Sequence, residues 1–423
     1  MRRTILPGAI GGEIVAVASK SHLHRLLIGA ALSEGETRIR HGALCEDIDA
    51  TCRCLTALGA SITREPGCIC VRGIGQRRPA FAELDCGESG STYRFLLPVA
   101  PALGVEADFL LSGRLPQRPV GDLLDQMTAH GARISGLGSA KVRVAGRLSG
   151  GEYTLPGNVS SQYITALLFA MPLTGEECTL RVTGKMESAA YVDLTLEAVR
   201  LFGVEIAREG NVFRCAAGQK FVSPGEIMTE GDWSNAAFAL CAAAACGGSV
   251  RIRGLNMDSV QGDKAVLEVI RLFGAQAEMQ GDFACVSGAP LHACTVDIGP
   301  IPDMAPAISI MGAMAQGETV IANAGRLRLK ESDRIESTIG MLHALGAQAW
   351  CENDEIHILG TGGAKLPGGV VDPCADHRIA MAASCAAAVC TGPVTVLGSS
   401  CAAKSYPSFY DDLPLLGLKE ETK

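Results

Sequence analysis

Six short polar clusters recur along the chain, each at the start of a mostly apolar run: Lys20-Ser21, Glu88-Ser89-Gly90-Ser91, Ser160-Ser161-Gln162, Asp232, Asp303 and Asp376-His377-Arg378. Serine or aspartate in such a place most often caps a helix by accepting a hydrogen bond from a free backbone N–H. Capping does not account for Lys20, Arg25, Gln162 or Arg378. The first turn of a helix also offers unpaired N–H groups and the positive end of its dipole, so it attracts anions. Six such ends, sharing one phase of a repeat, could aim at a common place and hold anionic groups there.

The elements that must position these clusters are legible in the apolar pattern. The runs near residues 21–32, 91–103, 161–171, 233–246, 304–315 and 377–390 are rich in alanine and apolar on nearly every face. A helix apolar all round belongs in a core. A second, amphipathic helix pattern ends in glycine at Gly59, Gly131, Gly203, Gly274, Gly346 and Gly417, spaced 71 or 72 residues apart. Glycine just past a helix end takes the left-handed conformation without a Cβ penalty. Most copies then continue into alternating, strand-like residues such as Ala60-Ser61-Ile62-Thr63. Three copies precede about residue 230 and three follow it; the sixth runs out at Gly417 before its strands. Residues 1–18, strand-like at 13–17, could complete that copy. The pattern predicts an α/β chain of six repeats of about 72 residues in two three-repeat domains. Their expected bounds are 19–229, and 1–18 with 230–423, with a hinge at the two chain crossings.

Composition narrows the function. The chain has 423 residues, 48% hydrophobic and 19% charged, which is globular and long enough for two domains. Its formal net charge of −8 and 4% aromatic content argue against nucleic acid or an anionic membrane surface as partner. The 17 cysteines include the pairs Cys52/Cys54 and Cys68/Cys70, which are CxC and lack histidines at zinc-finger spacing. Reduced thiols without a structural metal are the expectation. Pro7, Gly8, Gly11 and Gly12 break any signal-peptide core, and the apolar stretches 236–246 and 379–390 fall short of the ~18–20 residues that span a bilayer. A soluble, cytoplasmic protein is expected.

Longer motifs then carry a resemblance. Leu6-Pro7-Gly8, Ser19-Lys20-Ser21 with Arg25, Gly87-Glu88-Ser89-Gly90-Ser91-Thr92-Tyr93-Arg94, Arg118-Pro119 and Ser160-Ser161-Gln162 stand in the first half. Ile301-Pro302-Asp303, Leu329-Lys330-Glu331-Ser332-Asp333-Arg334, Asp376-His377-Arg378 and Ala403-Lys404-Ser405-Tyr406-Pro407 stand in the second. In order and spacing these resemble the EPSP synthases of the enolpyruvyl transferase family over nearly the whole chain. The resemblance implies two inside-out α/β domains, each of three βαβαββ-type repeats, closing on an interdomain cleft. It implies transfer of the enolpyruvyl group of phosphoenolpyruvate to the 5-hydroxyl of shikimate 3-phosphate, with no metal or organic cofactor. A monomer acting on these two small molecules is the expected form.

Both implied substrates carry a phosphate and a carboxylate, for which Lys20, Arg25, Arg94, Arg118, Lys330, Arg334, Arg378 and Lys404 are the candidate cations. The resemblance implies that Lys20, Ser21, Arg25, Ser160, Ser161, Gln162, Ser188, Asp303 and Lys330 contact shikimate 3-phosphate. It implies that Lys20, Gly90, Arg118, Gln162, Arg334, Arg378 and Lys404 contact phosphoenolpyruvate. Asp303 is expected as base toward the hydroxyl and Glu331 as proton donor to carbon, with Lys20 the third catalytic group. Read without the resemblance, Asp303 is a helix cap, Glu331 an ion-pair partner of Arg334, and Arg94 half of a helix ion pair. Asp333 and Asp376 are expected to hold arginines, and His377 to help position Glu331. Glu88 and Arg326 depart from many relatives and bear on binding detail. Two other readings stand beside this one. A UDP-N-acetylglucosamine 1-carboxyvinyltransferase shares the fold but normally carries a loop cysteine, absent from Ser112-Gly113-Arg114-Leu115-Pro116-Gln117-Arg118. A non-catalytic phosphate-binding repeat protein would have no use for Asp303 and Glu331.

Overall fold

The computed structural model describes residues 1–42 and 44–421. Its contacts divide the chain into two compact units, Lys20–Thr229 and Met1–Ser19 with Glu230–Lys423. Each is built from copies of one motif. In the copy that starts at Phe81–Gly87, this strand leads to an inner helix, Gly90–Ala102, and then to a parallel neighbour, Glu106–Leu111. An outer helix, Gly121–Ala129, follows, and the hairpin Ala132–Ser135 and Lys141–Gly146 closes the sheet in antiparallel register. The same order of one parallel and two antiparallel pairings recurs in the other four-stranded sheets.

The inner helices are Lys20–Leu32, Gly90–Ala102, Ser161–Ala170, Trp233–Cys246, Ala305–Met314 and His377–Cys385. Nearly every residue on them is buried, whereas strands alternate between buried and exposed positions. Helices inside and sheets outside follow from that composition: alanine-rich helices pack closely, and sheets need one apolar face only. The last inner helix stops at Cys385 and tightens into a 3₁₀ turn, Ala386–Val389, so the expected helix to residue 390 is shorter than its apolar run. All six repeat glycines have positive φ, from 76° at Gly203 to 109° at Gly59.

The N-terminal segment divides its work. Arg2–Ile5 pairs antiparallel with Val394–Leu397 and completes the sixth sheet. The strand-like residues expected at 13–17 do something else: Gly11–Val15 pairs in parallel with Ser249–Arg253 in the fourth sheet. The first sheet is completed reciprocally by Glu226–Met228, parallel to Glu36–Arg40. Each strand that precedes a chain crossing thus pairs in the unit the chain is leaving. At the crossings Ser19 N–H donates to Glu230 O at 2.8 Å and Asp232 N–H to Val17 O at 2.9 Å.

Candidate active site

In unit Lys20–Thr229 the chemistry gathers at the starts of three inner helices. Lys20 opens the first and pairs with Asp47 at 2.9 Å. Arg25, one turn on, is only 2% exposed and is fixed from three directions. Its Nε donates to Thr195 Oγ1 at 2.8 Å, its Nη1 to Ser21 O at 2.6 Å, and its Nη2 to Thr165 Oγ1 at 3.2 Å and Tyr191 O at 2.9 Å. Four of five N–H groups are thereby used. No carboxylate pairs with Arg25 among the described residues, and burial pushes the guanidinium down to about 9, so it stays charged at neutral pH. A buried cation without an anion is an expensive arrangement, of the kind that clusters at functional sites.

The second and third helix starts are laced together. Arg94 Nη1 donates to Gln162 Oε1 at 2.7 Å and Gln162 Nε2 to Ser91 Oγ at 3.1 Å. Arg94 therefore orients Gln162, a contact across helices. Gly90 brings backbone close to two guanidinium groups: a Cβ there would lie 2.9 Å from Arg118 Nη1 and 3.2 Å from Arg94 Nη1. Ser160 caps its helix by accepting from Gln162 N at 3.3 Å, and Ser161 is buried beside it. Ser188 is buried with φ 54° and ψ 42°, a left-handed conformation that costs a β-carbon-bearing residue energy and clusters at functional sites.

In the other unit, one carboxylate is the focus. Asp303 Oδ1 accepts from Lys330 Nζ at 3.1 Å and Arg334 Nη1 at 2.8 Å, and Asp303 Oδ2 from Arg378 Nη2 at 3.0 Å. Asp303 sits in the short turn Pro302–Met304 and caps no helix with its side chain. Burial alone would raise its proton affinity, but Arg378, Lys330 and Arg334 outweigh this and hold the carboxyl well below its ordinary value. Arg334 is the hub. Its Nη2 reaches Glu331 Oε2 at 2.6 Å and its Nε reaches Asp376 Oδ2 at 2.7 Å, so it touches three carboxylates. Asp376 is itself fixed by Ser332 Oγ at 3.1 Å and Arg378 N at 2.9 Å. Asp333 instead holds Arg328 at 2.9 Å and caps the helix Arg334–Leu345. Burial lowers Lys330, with Asp303 opposing. His377 and Lys404 are buried, the latter at the end of the turn Ser399–Lys404, and Arg326 lies in the turn Gly325–Leu329.

Some participants had no sequence signal. Asp47, Thr165 and Thr195 hold Lys20 and Arg25 but lie 27, 140 and 170 residues away from them. Asp263 is a buried carboxyl hydrogen-bonded by Ser234, pushed up to about 6 by burial and by the charge of Asp303. Only its place in Gln261-Gly262-Asp263, polar residues ahead of a helix, could have drawn notice.

The family model described as EPSP synthase (3-phosphoshikimate 1-carboxyvinyltransferase) matches residues 6–413. A 3-phosphoshikimate 1-carboxyvinyltransferase of Clostridium kluyveri is 34% identical over 419 residues, 98% of this chain and 97% of the relative. That of Clostridium acetobutylicum is 36% identical over 419 residues, 98% of this chain and 96% of the relative. A solved EPSP synthase from Acinetobacter baumannii superposes with a TM-score of 0.82 at 27% identity, covering 100% of both chains.

Proposed function

The chain belongs to the EPSP synthase family, and on that footing we propose how its own residues divide the work. The reaction is transfer of the enolpyruvyl group of phosphoenolpyruvate to the 5-hydroxyl of shikimate 3-phosphate, releasing phosphate. Carbon–oxygen bond formation needs a proton on the methylene carbon and loss of one from the hydroxyl. The resulting tetrahedral intermediate then loses phosphate and a proton from its new methyl group, restoring the double bond.

Asp303 takes the hydroxyl proton and Glu331 supplies the proton to carbon, each step being of a kind that contributes ~10²–10⁴ in rate. Lys20, Ser21, Arg25, Ser160, Ser161, Gln162, Ser188, Asp303 and Lys330 bind shikimate 3-phosphate; Lys20, Gly90, Arg118, Gln162, Arg334, Arg378 and Lys404 bind phosphoenolpyruvate. The observation that carries this division is the three-cation clamp on Asp303. A carboxylate so held is a poor base. Phosphate and carboxylate groups that draw Lys330, Arg334 and Arg378 to themselves relieve the clamp, so the proton affinity of Asp303 rises as substrate arrives. Lys20, paired with Asp47, stabilises charge developing on the leaving group.

In this reading the functional domains are 19–229 and 1–18 plus 230–423, with a hinge at the two chain crossings. The chain acts as a monomer in the cytoplasm, a setting supported by its 17 free cysteines. No helix among the described residues is long and apolar enough to cross a membrane. The test is phosphate release from phosphoenolpyruvate with either acceptor. Release with shikimate 3-phosphate and none with UDP-N-acetylglucosamine is expected; the reverse pattern overturns the acceptor assignment.

A further inference from the structure

The first sheet carries a second, unrelated group of ligating side chains. Its strands Glu36–Arg40, Ser61–Glu65 and Cys68–Arg72 pair so that Glu65 faces Cys68, Arg40 faces Cys68 and Arg38 faces Cys70. Side chains at paired positions share a face, as do positions two apart. Glu65, Cys68, Cys70, Arg38 and Arg40 therefore stand together on the outer face, opposite the core residues Ile39, Ile69 and Val71. A carboxylate oxygen of Glu65 and the two Sγ atoms all lie within 4.8 Å of one another.

We propose that Glu65, Cys68 and Cys70 form a binding site for a thiophilic divalent cation of the Zn²⁺ class. Two sulfurs and one carboxylate oxygen are a donor set that zinc accepts, with a water completing the tetrahedron. Around such an ion the ligand atoms sit roughly 3.5–3.8 Å apart, so the side chains need only draw in by about an ångström. The hairpin supplies the preorganisation, because the turn at Pro66-Gly67 fixes Glu65 opposite Cys68. Access comes through Glu65, half exposed, whose ion pair with Arg38 at 2.7 Å is on the surface and opens at little cost.

Charge favours the exchange. With both thiols protonated, Arg38 and Arg40 balance Glu65 and Glu226, their partners at 2.7 and 2.6 Å. A divalent ion replaces two thiol protons, so this balance is preserved. The ligating species is the thiolate, so protons compete with the ion for both sulfurs and binding must weaken as pH falls. Two protons leave for each ion bound. The seventeen thiols of the chain are not equivalent in this respect: among the described residues, this is the one cluster of three such ligands.

The test is a titration of the full chain with Cd²⁺ as a spectroscopic substitute for Zn²⁺, in a phosphine reductant, following the ultraviolet sulfur-to-cadmium charge-transfer band. One equivalent is expected to bind with release of two protons. Cys68→Ser/Cys70→Ser should abolish the band while leaving enolpyruvyl transfer within about twofold; Cys374→Ser, at the exposed cysteine, should leave the band unchanged. Glu65→Gln should retain the band and weaken binding about tenfold or more. That variant and single Cys70→Ser carry the test if the double variant does not fold. A band that persists without Cys68 and Cys70, no saturable band at all, or undiminished affinity in Glu65→Gln would each overturn the site.

Discussion

Replacing Asp303 by asparagine separates catalysis from binding. Asparagine keeps the shape and one acceptor but removes the charge that receives Lys330, Arg334 and Arg378 at 3.1, 2.8 and 3.0 Å. As the base, Asp303 is worth ~10²–10⁴ in kcat, or about 3–5 kcal/mol on the barrier. Stability should fall as well. Breaking a buried pair costs about 3–5 kcal/mol. Asn retains part of the contact and the Asp303 side chain is 19% exposed, so about 2–3 kcal/mol is expected here. Substrate affinity should move the opposite way. Three cations released from a carboxylate become more available to phosphate and carboxylate; one charge at ~5 Å in an effective dielectric near 20 is worth up to about 3 kcal/mol. Phosphate-release kinetics, calorimetric binding of shikimate 3-phosphate and urea unfolding measure the three effects. A kcat within tenfold of the parent would refute the base assignment. Loss of affinity in proportion to kcat would show that Asp303 positions substrate and does not move a proton.

Arg25→Lys should weaken shikimate 3-phosphate binding about tenfold to a hundredfold, because an ammonium cannot make the four protein hydrogen bonds that hold Arg25 and still present a donor; calorimetry checks it. Gly90→Ala should raise KM for phosphoenolpyruvate about tenfold with a smaller effect on kcat, since the new methyl meets Arg118 Nη1 at 2.9 Å and moves a flexible side chain, not backbone. Burial pushes His24 from 6.5 down to about 3, opposed by Asp47. The unfolded chain therefore binds the extra proton first, and stability falls as pH drops from 6.5 toward 3 by up to about 1.4 kcal/mol per unit. Asp263, raised to about 6, contributes the opposite slope above its ordinary value, so the measurement is the difference in urea stability between parent and His24→Asn, which should shrink on acidification.

The repeat is legible in the sequence because its markers are local. A glycine that must take positive φ, and a helix whose every face is apolar, are decided within a few residues, and all six glycines adopt the left-handed region. Strand partnership is not local. Gly11–Val15 and Glu226–Met228 have similar neighbours in sequence, and each precedes an inner helix. Pairing Gly11–Val15 with Ser249–Arg253, and Glu226–Met228 with Glu36–Arg40, is a choice made over more than 180 residues. No periodicity records such a choice.

The site divides in the same way. Helix starts revealed which residues carry charge, but what each charge does depends on partners that arrive from other repeats. Glu331 and Arg334 are three apart and form the ion pair that spacing alone suggests. The same Arg334 also reaches Asp303 and Asp376, 31 and 42 residues away. Those contacts turn a surface-type pair into a buried lattice of alternating charge in which Asp303 is held ionised. Sequence motifs mark Asp303, Lys330, Arg334 and Arg378 as anion-binding and acid/base candidates; the structure binds the three cations to the one carboxylate. In the proposed function, anionic substrates act on Asp303 by engaging these cations, which makes the charge of the ligand part of the chemistry.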